Sequence, residues 1–265
     1  MKKDNSSFAL VLLLVSLLGW MILDTDNLHR RRALSGSNYA DSTLNDSVIE
    51  KPSPIVRVDS TYTGMVLYFP PTDSVDLRCF DRPRPEADSS VVFCCAAAFT
   101  GMGPKGHGNI ASDHVSSGKR YRGYRCVRNT GALVFYDGSF EFLYKDYSHK
   151  LDSAAAHNGA GFAQEMMIHQ GKQVKTTRSL SDENLFRAIC EKNGVLCIAD
   201  AAESKPFGSF IESLLQAGIS EALYVDMGEG WNYSWYRHHL DSQAVYIQEA
   251  YIEAATNWLV FYAKR

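Results

Sequence analysis

Residues 221–237, EALYVDMGEGWNYSWYR, place one acid between an apolar run and a loop dense in aromatic and polar side chains. The run ends on Asp226, Gly228 and Gly230 follow, and then come Trp231, Asn232, Tyr233, Ser234, Trp235, Tyr236 and Arg237. A strand that delivers a carboxylate into a glycine-loosened loop can present it to a ligand. Glycine reaches positive φ cheaply and lets a ligand approach the backbone. Aromatic rings beside such an acid suit a sugar or phosphosugar. The competing reading is local: an Asp bracing its own loop, with aromatics that merely cover the edge of a core.

Two further segments carry groups able to do chemistry. Residues 99–118, FTGMGPKGHGNIASDHVSSG, present His107, Asn109, Asp113 and His114 on a glycine-rich loop that follows a strand. Loops on a rigid sheet are where binding groups concentrate, although Asn and Asp also bond their own backbone in ordinary loops. The histidines and Asp113 could hold a divalent metal, but their spacing matches no diagnostic ligand pattern. In residues 163–171, AQEMMIHQG, alternation puts Gln164, Met166 and Ile168 on one face of a half-buried strand and Glu165, Met167 and His169 on the other. Glu165 is then a candidate acid or base, or equally an exposed strand charge.

Residues 186–200, FRAICEKNGVLCIAD, contain Asn193-Gly194 between two apolar runs, a strong hairpin signal. With those two residues as the turn, Lys192 faces Val195, Cys190 faces Cys197 and Arg187 faces Asp200. Directly opposed Cα atoms, about 5.5 Å apart, permit a Cys190–Cys197 disulfide; two buried free thiols satisfy the same count. Arg187 has two compatible readings: a cross-strand partner of Asp200, and a planar fork for phosphate oxygens.

The elements that must position these groups are mostly strands. Strand-like runs fall at 64–69, 75–80, 91–99, 124–127, 132–136, 139–144, 164–169, 186–191, 195–200, 222–226, 244–248 and 257–262. Apolar residues at 207, 210, 211, 214 and 215 have helical spacing, with Gly218 suited to a C-terminal cap. A weaker helix fits 149–157. Strand, helix and strand over 195–226 leave room for a crossover. The fold class expected is α+β, an extensive mixed β-sheet core with a few helices.

The ends and the composition set further bounds. Residues 8–23 form an uncharged apolar run of 16 residues after Lys2 and Lys3. As a helix it spans roughly 24 Å. No small-residue cleavage pattern follows, so an uncleaved signal anchor is expected, with the body on the periplasmic side of a membrane. Arg30, Arg31 and Arg32 beyond the run argue against that orientation. Residues 24–60 read as a flexible linker, and 61–265 as one domain. A net charge of −3 with mixed signs leaves no electrostatic footprint for nucleic acid. Six cysteines without a CxxC pair argue against a zinc cluster.

Taken in order, the strand and loop at 91–118, FAQEMMIHQGK at 162–172, FRAICEKNGVLCIAD at 186–200 and FGSFIESLLQAGISEALYVDMGEGWN at 207–232 resemble the phosphodiester glycosidase family. The resemblance spans about residues 60–262 and is nearest the exported or membrane-anchored branch from Bacteroides-type bacteria. The chain departs from the family's usual pattern at Ala97-Ala98-Phe99, where an Asn is common. It departs again at Met227, Gly228, Glu229 and Gly230, where three successive glycines are common.

What the resemblance implies is a hydrolase that cuts the bond between a sugar's anomeric carbon and a phosphate in an envelope glycan or glycoconjugate, with no dedicated cofactor. Asp226 or Glu165 would stabilise an oxocarbenium-like transition state or activate water. Arg187 would balance the leaving phosphate, and His107 would carry a proton. Trp231 and Asn232 would hold the sugar, with Asn109, Asp113, His114 and Gly228 also against substrate. The alternative is a non-catalytic envelope protein that binds a glycan or a protein partner through the same surface. A third reading is hydrolysis of an ordinary envelope phosphodiester.

Overall fold

The computed structural model describes residues 53–101, 106–228, 231–253 and 255–264. The apolar run at 8–23, linker residues 24–52, and Glu229 and Gly230 lie outside the described residues. Among the described residues no helix is long and apolar enough to cross a membrane.

Three sheets carry the fold. The seven-stranded sheet has the order β1 (Arg57–Asp59), β2 (Met65–Phe69), β14 (Val195–Ala201), β13 (Arg187–Lys192), β16 (Ile219–Tyr224), β10 (Met166–His169), β11 (Lys172–Gln173). One five-stranded sheet runs β18 (Val245–Gln248), β17 (Ser234–Tyr236), β4 (Val91–Ala96), β19 (Asn257–Tyr262), β3 (Val75–Cys79). The other runs β6 (Lys119–Tyr121), β5 (His114–Ser116), β9 (Ala160–Gln164), β7 (Gly131–Tyr136), β8 (Ser139–Tyr144). A short ribbon pairs β12 (Glu183–Asn184) with β15 (Lys205–Pro206). Two α-helices complete the described chain, α1 (Ser148–Ala156) and α2 (Phe207–Gln216). The fold is therefore mainly β, at the β-rich end of the expected α+β class.

The expected mixed sheet is corrected. Every strand pair among the described residues is antiparallel, and the one parallel contact is the isolated bridge Ala111–Tyr124. The crossover through α2 does exist, but β14 and β16 flank β13 rather than pairing with each other.

Short hairpins explain the predominance of antiparallel pairs. Ser117-Gly118, Asp137-Gly138, Gln170-Gly171 and Asn193-Gly194 each form a two-residue turn with both φ positive. Such turns match the right-handed twist of the strands they join. The β13–β14 register matches the sequence count: Lys192 opposes Val195, Cys190 opposes Cys197 and Arg187 opposes Asp200. Both opposed cysteines are free thiols.

The core sits between the sheets and under α2. Phe207, Phe210, Ile211 and Leu214 form the buried face of α2. Phe186 joins them, its ring 5.0 Å from Phe207 and 6.0 Å from Tyr224. β4 is buried along its whole length, which its continuous apolar sequence VVFCCA allows.

Several strand expectations are corrected. The run at 164–169 is broken at Glu165, where the chain passes from β9 in one sheet to β10 in another. Residues 164–168 are all buried, so the expected half-buried alternation does not hold. Residues 124–127 form no strand beyond the single bridge at Tyr124. Arg57–Asp59 pairs with β2 inside the segment read as linker, and Val56 beside it is fully buried.

Gly123 holds Tyr124 in place by close approach rather than by unusual φ. Tyr124 N–H donates to Ile110 O at 3.0 Å, and Ser112 N–H donates to Tyr124 O at 2.7 Å. A Cβ on Gly123 would overlap the carbonyl oxygens of Ile110 and Ser112. Gly123→Ala is expected to lower stability by about 2–3 kcal/mol, read as a shifted urea midpoint at unchanged m-value. An unshifted midpoint would mean that the loop moves freely.

Candidate active site

The chain leaving β4 and the chain leaving β16 meet edge to edge. Asp226 N–H donates to Ala97 O at 3.0 Å, and Thr100 N–H returns a bond to Asp226 Oδ2 at 3.1 Å. The Gly228 N–H reaches Asp226 Oδ1 at 3.4 Å. Asn257, the first residue of β19, braces this junction from behind. Its side chain accepts from Ala98 N at 2.8 Å and donates to Ala98 O at 3.0 Å and Thr100 Oγ1 at 3.2 Å.

Asp226 opens on a cleft of about 300 Å³ that is also lined by Thr100, Tyr124, Arg128, Arg178, Tyr224 and Trp231. Asp226 is only 6% exposed. Burial pushes its carboxyl up to about 7, against the pull of the two backbone donors and of Arg178. Such a group exchanges a proton near neutrality, as a general base or acid must. Burial likewise raises the phenols of Tyr124 and Tyr224 to about 12, so both remain neutral hydrogen-bond donors at pH 7.

Arg178 supplies the cleft's positive charge together with Arg128, which is exposed at the rim. Its guanidinium lies 5.0 Å from the Tyr224 ring. Its ion pair to the exposed Asp182 is long, at 3.8 Å, and its Nε is buried without a hydrogen-bond partner. Two guanidinium groups beside one half-protonated acid make a site for a phosphate or another oxyanion.

Trp231 packs its ring against Gly228, where a Cβ would come within 2.9 Å of Trp231 Cε3. The glycine is needed there to let the indole lie on the backbone. Of the other aromatics in the 231–237 segment, Tyr233 precedes a strand, and Trp235 and Tyr236 lie within it. Ser234–Tyr236 is β17, an interior strand between β4 and β18. Trp235 is fully buried, and both its Nε1 and the Tyr233 hydroxyl donate to Pro83 O at 3.0 Å.

The remaining sequence-derived candidates lie elsewhere. Arg187 is 0% exposed and does not line the cleft. Its Nη2 pairs with Asp200 Oδ2 at 2.7 Å, and its Nη1 donates to Asn232 O at 3.0 Å. Two of its donors thus face protein acceptors, its Nε is buried without a partner, and solvent does not reach it, an arrangement that favours the cross-strand reading over the phosphate fork. Asn232 turns its carbonyl toward that arginine, and its buried Oδ1 has no hydrogen-bond partner. Glu165 is fully buried, with Oε1 accepting from Thr177 N at 2.7 Å and Thr177 Oγ1 at 3.0 Å. It does not line the cleft.

His107, Asn109, Asp113 and His114 do not line the cleft either. Asp113 is paired with Arg120 at 2.5 Å. Asn109 donates its Nδ2–H to Gly101 O at 2.7 Å, which places it behind the Thr100 junction. His107 and His114 approach each other, Nδ1 to Nε2, at 2.9 Å. Burial lowers His114 to about 4. Of the residues singled out in the sequence, the structure therefore gathers Asp226, Gly228 and Trp231 at one cleft and disperses the others. Arg178, Tyr124 and Asn257 escaped sequence reasoning. Arg178 sits in the polar run KTTRS without periodicity, and only Asn257, a lone amide opening an apolar strand, left a visible trace.

The fold is similar to that of two solved structures. One is the zebrafish N-acetylglucosamine-1-phosphodiester alpha-N-acetylglucosaminidase catalytic domain, auto-inhibited by its pro-peptide. It is 12% identical over 85% of this chain and 87% of its own, with a TM-score of 0.53. A hypothetical protein from Synechocystis is likewise 12% identical with a TM-score of 0.53, over 78% of this chain and 61% of its own. At that identity the likeness is one of fold. No family profile and no curated sequence matches the chain.

Proposed function

We propose that the chain is a hydrolase of glycosyl phosphodiesters, working at the Asp226 cleft. The observation that carries this reading is the juxtaposition of Asp226, poised near neutrality, with Arg178 on one cleft wall. The fold likeness to a phosphodiester glycosidase domain supports it.

The chemistry follows from the groups. Phosphate is a good leaving group, so neutralising its charge matters more than protonating it, and Arg178 with Arg128 does that. As the anomeric C–O bond breaks, water adds to the oxocarbenium-like carbon and Asp226 takes the water's proton. The products are a free reducing sugar and a phosphomonoester, with one water consumed. Trp231 and Tyr124 offer faces and a hydroxyl to the sugar. The apolar run at 8–23 would tether this domain on the periplasmic side of an envelope membrane, a placement that rests on the sequence.

The test is a panel of sugar-1-phosphodiesters given to the full-length protein and scored for reducing sugar and phosphomonoester. Release of both is expected, with no cleavage of dialkyl phosphodiesters that lack an anomeric carbon. Saturable binding without turnover would instead make the protein a glycan binder. Cleavage of every phosphodiester would make it an ordinary phosphodiesterase. Within this scheme Arg178→Ala is expected to lower kcat/KM about 100-fold, the loss of charge-assisted phosphate contacts. Arg178→Lys should recover little of it. The urea midpoint of Arg178→Ala should move little, because its one ion pair is long and faces an exposed partner. Unchanged kinetics would remove Arg178 from the site.

A further inference from the structure

Away from the cleft, three separate elements bring one thiol and two imidazoles together. Cys79 ends β3, His107 opens the 3-10 turn His107–Asn109, and His114 opens β5. One donor atom from each lies within 4.8 Å of the others.

We infer that Cys79, His107 and His114 form a zinc site that pins the 107–109 turn to the two five-stranded sheets. The arrangement of His114 is the most telling feature. Its Nδ1 lies 3.2 Å from the Ser112 carbonyl oxygen, which can only accept, so Nδ1 carries the proton there. Nε2 is then a bare lone pair, directed at His107 Nδ1 2.9 Å away. A backbone carbonyl holding one ring nitrogen so that the other can ligate is the usual outer-shell device at metal-bound histidines. His107 is held by a Tyr121 ring stacked at 3.4 Å and by Phe80 edge-on at 4.9 Å. Both imidazoles are thereby oriented before any cation arrives.

The donor set selects the metal. Two nitrogens and a sulfur suit a borderline-soft divalent ion, and zinc takes them in a tetrahedron with bonds of about 2.0–2.3 Å. The edges of such a tetrahedron are roughly 3.3–3.6 Å. The nitrogens, 2.9 Å apart, therefore separate by a few tenths of an ångström, and the sulfur, within 4.8 Å of both, draws in to bonding distance. Binding costs the Cys79 thiol its proton, which leaves to solvent, and shifts the His107 proton to its other nitrogen. Cys79 and His107 are only partly buried, so water can fill the fourth position. CxxC-type spacing never signalled this site because each ligand comes from a different element. Asp113, the acid the sequence placed beside these histidines, is bound to Arg120 instead.

Such a cation would be linked to the cleft through the 107–109 turn. Asn109, in the same turn as His107, exchanges hydrogen bonds with Gly101 at 2.7 and 2.8 Å, and the next residue back, Thr100, donates to Asp226. The inference does not depend on what the cleft hydrolyses.

The test uses the full-length protein stripped with a chelator and titrated with Zn²⁺, and with Co²⁺ as a coloured substitute. One equivalent of cobalt should give tetrahedral d–d bands and a thiolate charge-transfer band. Cys79→Ser should abolish the charge-transfer band, and His107→Ala should weaken binding at least 10-fold. Zinc at about 100 times its Kd should raise Tm by about 5–10 °C. In the unsubstituted protein, zinc should slow alkylation of Cys79, a readout that stands even if a variant fails to fold. The absence of stoichiometric binding, a charge-transfer band retained in Cys79→Ser, or alkylation indifferent to zinc would each overturn the site.

Discussion

Asp226→Asn is expected to lower kcat for sugar release from a glycosyl phosphodiester by about 1,000-fold, the middle of the range for losing a general base. The amide keeps the shape of the side chain but accepts no proton from water. The pH profile offers a sharper check than the rate. Burial holds the Asp226 carboxyl at about 7, so the basic form appears only above that pH. In the unsubstituted protein kcat/KM should rise about 10-fold per pH unit below pH 7 and level off above it. In Asp226→Asn that limb should vanish from the residual rate. A limb that survives would assign the titration to another group, and an unchanged kcat would end the role of Asp226.

The same shift has a consequence for stability, with a definite sign. The folded protein binds the Asp226 proton more tightly than the unfolded chain, whose value is near 3.8. Stability from this group is fully present below about pH 4 and is lost as pH rises to about 7. The loss is at most about 4 kcal/mol for a shift of this size. Asp226→Asn should flatten that fall. Its net stability is harder to raise, because the amide can accept from only one of the two N–H groups that now face the carboxylate. Urea unfolding of both proteins at pH 4.5 and 7.5 reads the difference in slope directly.

Arg187→Ala is expected to destabilise the domain by about 3–5 kcal/mol, which is a large share of a typical domain's total stability. The substitution leaves Asp200, 7% exposed, without its partner at 2.7 Å, and it also releases the Asn232 carbonyl. A cavity the size of the lost side chain adds to the cost. Replacing both members, as in Arg187→Met with Asp200→Leu, should recover much of the loss, because paired apolar residues leave no uncompensated charge. The contrast with Arg178 is diagnostic: Arg187→Ala should shift the urea midpoint, and Arg178→Ala should shift KM or kcat. If Arg187→Ala folded with native stability and lost only activity, the buried pair would not be structural and the phosphate role would return to Arg187.

That contrast shows where sequence reasoning succeeds and where it stops. Counting outward from Asn193-Gly194 placed Arg187 opposite Asp200, because a two-residue turn sets the register of both strands at once. The count could not say which face of the hairpin is covered. Burial of Arg187 depends on the chain after β16 and on Asn232, both distant in sequence. The reading of residues 231–237 failed for the same reason. Ser234–Tyr236 looked like loop because it is short and polar-aromatic, and it became a strand because β4 and β18 lie on either side of it. Arg178 had no local signal at all, since a lone arginine in a polar connection is ordinary until a cleft forms around it.

The sequence by itself determined what is settled within a few residues. It specified the Asn193-Gly194 turn and its register, the amphipathic α2, most of the strand runs with their β-branched and aromatic residues, and the acid just beyond β16. Each depends on φ preferences or on side-chain period, which neighbours along the chain impose. The tertiary structure alone decided which arginine reaches the cleft, which is buried against protein, and how β3, the 107–109 turn and β5 bring Cys79, His107 and His114 together. Those outcomes depend on desolvation and on contacts between segments tens of residues apart. The same guanidinium group binds an anion where water can enter and bonds only to protein where packing excludes it.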